Sequence, residues 1–169
     1  MDKERWLQGV PLEAYIESAP ARSQILRRLQ KISLPEEVAG FFRGLSSPVY
    51  ALVITEDWCP NAPPALAVLA HCIELSGGRI SARVFKRAEH PDLMDRYLKE
   101  GKYRSVPVVA FFDATFQPLG DVREQPTLPE WEGLSRRERR LAELSMDWGE
   151  LWGRTYQTII ANHATGDGA

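Results

Sequence analysis

The sequence predicts a single α/β domain with a central mixed four-stranded sheet flanked by helices, extra N-terminal helices and a C-terminal amphipathic helix. Continuous apolar runs of strand length occur at residues 49–54 and 106–112, and such runs are typical of strands buried on both faces. A helical segment separates the first run from an alternating strand at residues 80–85. The 169 residues, 44% of them hydrophobic, are enough to bury one core.

Residues 1–47 are predicted to form a helical extension that precedes the core. Apolar residues recur at helical spacing before and after Pro20, and a proline separates two helices here because it interrupts the backbone hydrogen bonds. A third helix is predicted after Ser33, which has Glu36 three positions later in the spacing of a capping box. The extension is therefore expected to contribute helices to the fold.

The predicted core spans residues 48–123. It contains four predicted strands, at residues 49–54, 80–85, 106–112 and 116–122. Helices are predicted between the first three strands, over residues 62–75 and from Pro91 to Gly101, because each segment has apolar periodicity and a proline or glycine near its ends. A turn at residues 113–115 is expected to join the last two strands as a hairpin.

The C-terminal third of the chain is predicted to contain a loop, one helix and a tail. Prolines and a glycine interrupt residues 124–134, which are therefore expected to form a surface loop. Ser135 and Glu138 have the spacing of a second capping box, and apolar residues follow it with the 3.6-residue period. One amphipathic helix is predicted over residues 135–161, and the small, polar residues 162–169 are expected to be disordered.

The composition indicates neither a nucleic-acid nor a membrane partner. The formal net charge is −2 and the isoelectric point is near 6.0, so the chain lacks an overall basic field. No segment approaches the ~20 apolar residues of a membrane-spanning helix, and the first residues carry no apolar signal region. Because the only cysteines are Cys59 and Cys72, a reducing compartment, the cytoplasm, is expected.

Two short motifs lie at the predicted ends of strands. The first strand is joined to its helix by Glu56-Asp57-Trp58-Cys59-Pro60-Asn61-Ala62, and the third strand is preceded by Arg104-Ser105-Val106-Pro107. Together they resemble the Trp-Cys-x-x-Cys active-site turn and the cis-proline loop of the thioredoxin superfamily. The resemblance covers residues 48–123 and implies a thioredoxin fold, to which the helices at both ends are additions.

The resemblance implies a role for each residue of the two motifs. Cys59 would be the catalytic cysteine that attacks a substrate disulfide, and the bond before Pro107 would be cis. The substrate would be contacted by Trp58, Pro60, Val106 and Pro107. In the family a second cysteine three positions later releases the product, but this chain has Ala62 in that position. A mixed disulfide on Cys59 would therefore need an external thiol for its release.

Cys72 is not expected to replace the missing cysteine. It lies on the same predicted helix as Ala62, and its distance from Cys59 along that helix is about 20 Å. A disulfide requires Cα atoms within about 4.4 to 6.8 Å of each other. Cys72 is therefore interpreted as a buried core residue, and both thiols are predicted to be reduced.

Features near Cys59 have opposite effects on its expected reactivity. A cysteine at a helix N-terminus faces free N–H groups that favour the thiolate. Pro63 and Pro64 are tolerated only in the first turn of a helix, because they lack a backbone N–H group. The helix is therefore predicted to begin with Asn61 as its N-cap. The acid that the family carries on the preceding strand is replaced by Val53. The unshielded carboxylates of Glu56 and Asp57 are expected to raise the pKa of Cys59.

Other charged or metal-binding residue types have simpler interpretations. Lys86 and Arg87 end the second strand near the turn, where they are candidates to lower the pKa of Cys59 or to attract an anionic thiol such as glutathione. The three histidines have no metal-binding spacing with either cysteine, so no metal site is predicted. The arginines of residues 136–140 are interpreted as an exposed helix turn.

Two functions of different classes follow from the sequence. The first is thiol–disulfide exchange by a monothiol mixed-disulfide route through Cys59, with protein or small-molecule thiols and disulfides as partners. It needs no resident cofactor, and glutathione or another low-molecular-weight thiol is the candidate co-substrate. The alternative is a non-catalytic binding module that holds its partner in the groove between Trp58 and Pro107. The fold alone does not choose between them.

Overall fold

A five-stranded mixed sheet forms the centre of the computed structural model, which describes the backbone of residues 1–164 and the side chains of residues 1–162. The strands are β1 (Val10–Pro11), β2 (Val49–Thr55), β3 (Ile80–Lys86), β4 (Val108–Phe112) and β5 (Pro118–Arg123). Their order in the sheet is β1-β3-β2-β4-β5. The β2–β3 pair is parallel and the other three pairs are antiparallel. The predicted α/β fold class is confirmed, with helices on a mixed sheet.

The sheet has one strand more than the four that were predicted. The additional strand, β1, belongs to the N-terminal extension and pairs with the edge of β3, with Val10 opposite Val84 and Pro11 opposite Arg83. A strand of two residues is too short to show any periodicity, and a proline in it reads as a break in the sequence. Proline is tolerated here because the strand lies at the edge of the sheet.

Eight α-helices occur in the part of the chain that the structure describes. They are α1 (Lys3–Trp6), α2 (Leu12–Ser18), α3 (Arg22–Lys31), α4 (Glu36–Arg43), α5 (Ala62–Leu75), α6 (Pro91–Met94), α7 (Arg136–Ser145) and α8 (Trp148–Ala164). Helix α5 packs against α3, α4 and α8. The hydroxyl of Tyr156 on α8 donates a hydrogen bond to the Ala65 carbonyl at 2.8 Å. Most of α5 is therefore buried, including Cys72.

The predicted single helix over residues 135–161 is two helices in the structure. Helix α7 ends at Ser145, and the Oδ1 atom of Asp147 accepts hydrogen bonds from the backbone N–H groups of Gly149 and Glu150 at the start of α8. An aspartate that bonds in this way begins a new helix. Helix α8 continues through the first three positions of the predicted tail, and residues 165–169 lie outside the described residues.

The predicted surface loop, residues 124–134, is partly buried. It contains a short 3-10 helix at Pro129–Trp131, and Leu128 and Trp131 pack with Leu151 of α8 in a small second cluster. Proline and glycine predicted irregular backbone correctly, but irregular backbone can still carry apolar side chains into a core. Within residues 1–164, no helix has the length and apolarity needed to cross a membrane.

A close backbone approach attaches the extension to the sheet at Gly9. A Cβ atom at Gly9 would lie 2.5 Å from Cε2 of the buried Phe85 ring and 2.9 Å from Cβ of Arg83. Both distances are far shorter than ordinary van der Waals contact, and the ring is held by the core. Only glycine lets the chain pass here and then pair with β3.

Replacing this glycine should destabilise the protein. Gly9→Ala is expected to lower the free energy of unfolding by about 1 to 3 kcal/mol, because the methyl group displaces either the ring or β1. Gly40→Ala is the matched control: a Cβ at Gly40 on α4 meets nothing within 4 Å, and the change should raise stability by about 0.5 to 1 kcal/mol. Urea denaturation measures the free energy of unfolding of both variants and of the wild type. A Gly9→Ala protein as stable as the wild type would show that the approach is not tight.

Candidate functional site

The two sequence motifs meet at one end of the sheet. The turn before α5 follows β2, and the proline loop precedes β4. These strands are antiparallel neighbours with Ile54 opposite Val108, so the end of one lies beside the start of the other. The thiol of Cys59 donates a hydrogen bond to the Val106 carbonyl, with 3.4 Å between Sγ and O. The Val106–Pro107 bond is cis, as predicted.

The start of α5 presents backbone N–H groups to the cysteine. The helix begins at Ala62 with Asn61 as its N-cap, as predicted, and two prolines occupy its first turn. The backbone N–H groups of Asn61 and Ala62 lower the pKa of Cys59, and the Ala62 N–H donates a hydrogen bond to the Cys59 carbonyl at 3.3 Å. Such donors stabilise a thiolate more than a thiol. The turn therefore retains the anion-stabilising part of the active-site geometry that the resemblance implies.

Burial nevertheless raises the pKa of Cys59 above its usual value. The side chain is only 5% exposed, and desolvation disfavours the charged form of the thiol. The backbone N–H groups of Asn61 and Ala62 and the positive charge of Arg87 lower the pKa, whereas the carboxylate of Glu124 raises it. Burial is the largest of these effects, so the net shift of the Cys59 pKa is upward.

Glu56 and Asp57 are not the unshielded carboxylates that the sequence suggested. The carboxylate of Glu56 accepts a hydrogen bond from the N–H of Ala88 at 2.8 Å, and Asp57 is paired with Lys86. The sequence showed two acids next to the thiol but did not show the partners that occupy them.

Asp57 connects the turn to the N-terminal extension. The Tyr15 hydroxyl on α2 donates a hydrogen bond to Oδ1 of Asp57 at 2.9 Å, and Nζ of Lys86 lies 3.0 Å from Oδ2. The bond from Lys86 is the largest effect that lowers the pKa of Asp57. Burial, together with the bond to Asp57, raises the pKa of Tyr15. Sequence reasoning missed Tyr15, because an apolar helix face gave no signal of this contact.

Trp58 and Pro60 form the exposed part of the site. The Trp58 side chain is 64% exposed, and the guanidinium carbon of Arg87 lies 5.1 Å from the centroid of its ring. Of the four predicted substrate-binding residues, these two face solvent, whereas Val106 and Pro107 are buried. A partner would therefore meet Trp58 and Pro60 first.

Cys72 is separate from the site. It is fully buried on α5, both cysteines are free, and burial raises the pKa of Cys72. Its interpretation as a core residue agrees with this position. Among the described residues, no cluster of three histidine, cysteine, aspartate or glutamate side chains could hold a metal ion.

The fold and the turn define a thioredoxin-like protein. A family model described as Thioredoxin matches residues 9–128, and the chain belongs to this family. The match extends the similarity on the N-terminal side, from residue 48 back to residue 9, so most of the helical extension belongs to the family pattern. No match was found among curated proteins.

Two solved structures have the same fold. One is a protein of unknown function from Pseudomonas aeruginosa, with a TM-score of 0.76 and 20% sequence identity. The other is an HIV epitope-scaffold, with a TM-score of 0.75 and 20% identity. In each comparison the similarity covers 96% of this chain and 99% of the other. At this identity they show the fold alone.

The raised pKa predicts slow alkylation of Cys59 at neutral pH. Because the thiolate is the reactive form, the rate should rise tenfold per pH unit and reach its midpoint above the value of about 8.5 for free cysteine. Glu124→Gln should lower this midpoint and Arg87→Gln should raise it. Mass spectrometry of digests separates Cys59 from Cys72, which should react only after unfolding. A midpoint at or below 8.5 would contradict the dominant effect of burial.

Proposed function

We propose that the chain takes part in thiol–disulfide exchange by a monothiol route through Cys59. The observation that carries this proposal is the position of the Cys59 sulfur. It lies 3.4 Å from the Val106 carbonyl oxygen, next to the cis-proline, at the start of α5, where the backbone N–H groups of Asn61 and Ala62 lower its pKa. Backbone N–H groups at a helix start favour the thiolate, which is the form that attacks disulfides.

The proposed route has two steps. The Cys59 thiolate, having given its proton to solvent, attacks one sulfur of a disulfide. A mixed disulfide forms, and the other sulfur leaves as a thiolate that takes up a proton. Because Ala62 occupies the third position after Cys59, an external thiolate must attack the mixed disulfide and restore Cys59. Glutathione or another low-molecular-weight thiol supplies this second step in the proposal, and the partners are protein or small-molecule thiols and disulfides.

The proposed route suits a reducing compartment such as the cytoplasm, where external thiols are abundant. It needs no resident cofactor, since each sulfur that is oxidised in one step is balanced by one that is reduced. The raised pKa limits the rate at neutral pH, because only the small thiolate fraction reacts. The proposal is therefore a slow exchange that speeds up as the pH rises.

The alternative is a non-catalytic binding module, and one observation favours it. Cys59 is almost completely covered, whereas the adjacent Trp58 is largely exposed. Exposed aromatic side chains of this kind contribute strongly to partner binding. In this second proposal the groove between Trp58 and Pro107 holds a partner and the thiol takes no part.

Incubation with oxidised glutathione at pH 8 tests the monothiol route. The expected product is a mixed disulfide on Cys59 alone, which reduced glutathione then releases. Cys59→Ser should abolish it, since Cys72 is buried. Insulin reduction coupled to a thioredoxin reductase should be negligible, because no neighbouring thiol supplies the high effective concentration of an intramolecular attack.

Restoring the second cysteine provides the matched gain-of-function variant. Ala62→Cys places a thiol at the first position of α5, three residues after Cys59, and should produce measurable insulin reduction. Efficient insulin reduction by the wild type without added thiol would contradict the monothiol route. Absence of any mixed disulfide, with slow alkylation of Cys59, would favour the binding module instead.

A further inference from the structure

The cations around the candidate site are almost all neutralised by acidic partners. Four ion pairs surround it: Lys86 with Asp57, Lys99 with Glu124, Arg104 with Asp95, and Arg123 with Asp121. Arg87 differs from them, because within residues 1–162 it has no carboxylate partner. A half-exposed guanidinium without an acidic partner is free to bind an anion.

Arg87 lies between the two loops of the site. It follows the end of β3, and its Nη1 donates a hydrogen bond to the Arg104 carbonyl at 2.9 Å, in the loop that leads to the cis-proline. On the other side its guanidinium covers the exposed ring of Trp58, the neighbour of Cys59. The backbone N–H of Arg87 also donates to the Thr55 carbonyl at 3.0 Å. These contacts fix the direction of the side chain.

The fixed guanidinium keeps most of its donors available. An arginine side chain has five N–H donors in a planar fork that matches a carboxylate, and the Arg104 carbonyl is the one acceptor that this side chain reaches in the described part of the chain. The Trp58 ring packs against the guanidinium in a cation–π contact. A carboxylate that binds there lies beside Trp58, the neighbour of Cys59.

The negative charges near the site do not cancel the effect of the Arg87 charge on the Cys59 thiol. Glu124 raises the pKa of Cys59, but its carboxylate is paired with Lys99. Glu56 is bonded to the Ala88 N–H. The positive charge of Arg87 lowers the pKa of Cys59. Arg87 therefore acts on the sulfur from its position between Trp58 and the cis-proline loop.

We propose that Arg87 binds a carboxylate of the disulfide that reacts with Cys59, so that the site selects anionic disulfides over cationic ones. This inference rests on the proposed exchange function and names its substrate class. The chemistry is unchanged: Cys59 attacks the nearer sulfur, the disulfide bond breaks, and the leaving thiolate takes up a proton. Arg87 adds orientation, because it holds the carboxylate-bearing half of the substrate against Trp58.

Two disulfides of similar size and opposite charge test the proposal. Dithiodipropionate carries a carboxylate on each half and cystamine an ammonium group. The rate of each disulfide with Cys59 is measured at pH 8. It is divided by the rate of the same disulfide with a neutral model thiol, which removes differences in intrinsic reactivity between the two disulfides. The wild type should prefer dithiodipropionate, and Arg87→Gln should reduce this preference by about fivefold. Arg87→Lys should retain part of it, and added salt should weaken it.

Arg83→Gln is the matched control. Arg83 lies on the same strand four residues earlier, covers the ring of Trp6 at 5.0 Å and donates to the backbone carbonyls of Leu7 and Gly9. The Arg83→Gln variant removes the same charge from the protein as Arg87→Gln. Arg83 itself lies about 13 Å from Arg87 along the strand. The preference for the anionic disulfide should be the same in Arg83→Gln as in the wild type.

Three outcomes overturn the inference, and they are distinguishable. If Arg87→Gln slows both disulfides equally, the arginine acts only on the thiol and not on the substrate. If Arg83→Gln loses the preference as well, overall charge rather than a carboxylate site explains it. If neither disulfide reacts with Cys59 in the folded protein, while both react after unfolding, the exchange function fails and the inference fails with it.

Discussion

The antiparallel pairing of β2 with β4 is the constraint on which the site depends. It places the end of one strand beside the start of the other, and so brings the thiol of Cys59 to the carbonyl of Val106. All residues of both strands are buried except Tyr50, so a slip of the register by one residue would turn every core side chain the wrong way. The geometry of the site is therefore fixed by two buried strands at the centre of the sheet.

The N-terminal extension is part of the site rather than a separate addition. The indole N–H of Trp6, in the extension, donates a hydrogen bond to the Ala51 carbonyl at 2.9 Å. Strand β1 extends the sheet, and the Tyr15 hydroxyl on α2 donates a hydrogen bond to Asp57 in the turn. The family match, which begins at residue 9, agrees with this integration. A chain shortened to the core that the sequence motifs suggested would lose one of the two groups that bond the Asp57 carboxylate.

The sequence was sufficient for the features that local chemistry determines. Apolar runs predicted β2 and β4, and the two prolines after Asn61 predicted where α5 begins. The motifs predicted the cis bond before Pro107. The sequence was insufficient where a feature depends on residues that are distant in the chain. Strand β1 forms only because β3 offers an edge, and the carboxylates of Glu56 and Asp57 are bound by groups far away in the chain. The break between α7 and α8 did have a signal, since Asp147 is a good N-cap residue.

The arrangement around Cys59 separates two requirements of thiol chemistry. Formation of the thiolate needs a proton acceptor, and the strand offers Val53 where the resemblance expects an acid, so the proton must leave to solvent from a side chain that is 5% exposed. Stabilisation of the thiolate needs donors and positive charge, and these are present in Asn61, Ala62 and Arg87. The site is therefore built to hold an anion better than to generate one. In the proposed exchange, the small thiolate fraction limits the rate, and the charges around the sulfur act on the anion and on the group that meets it.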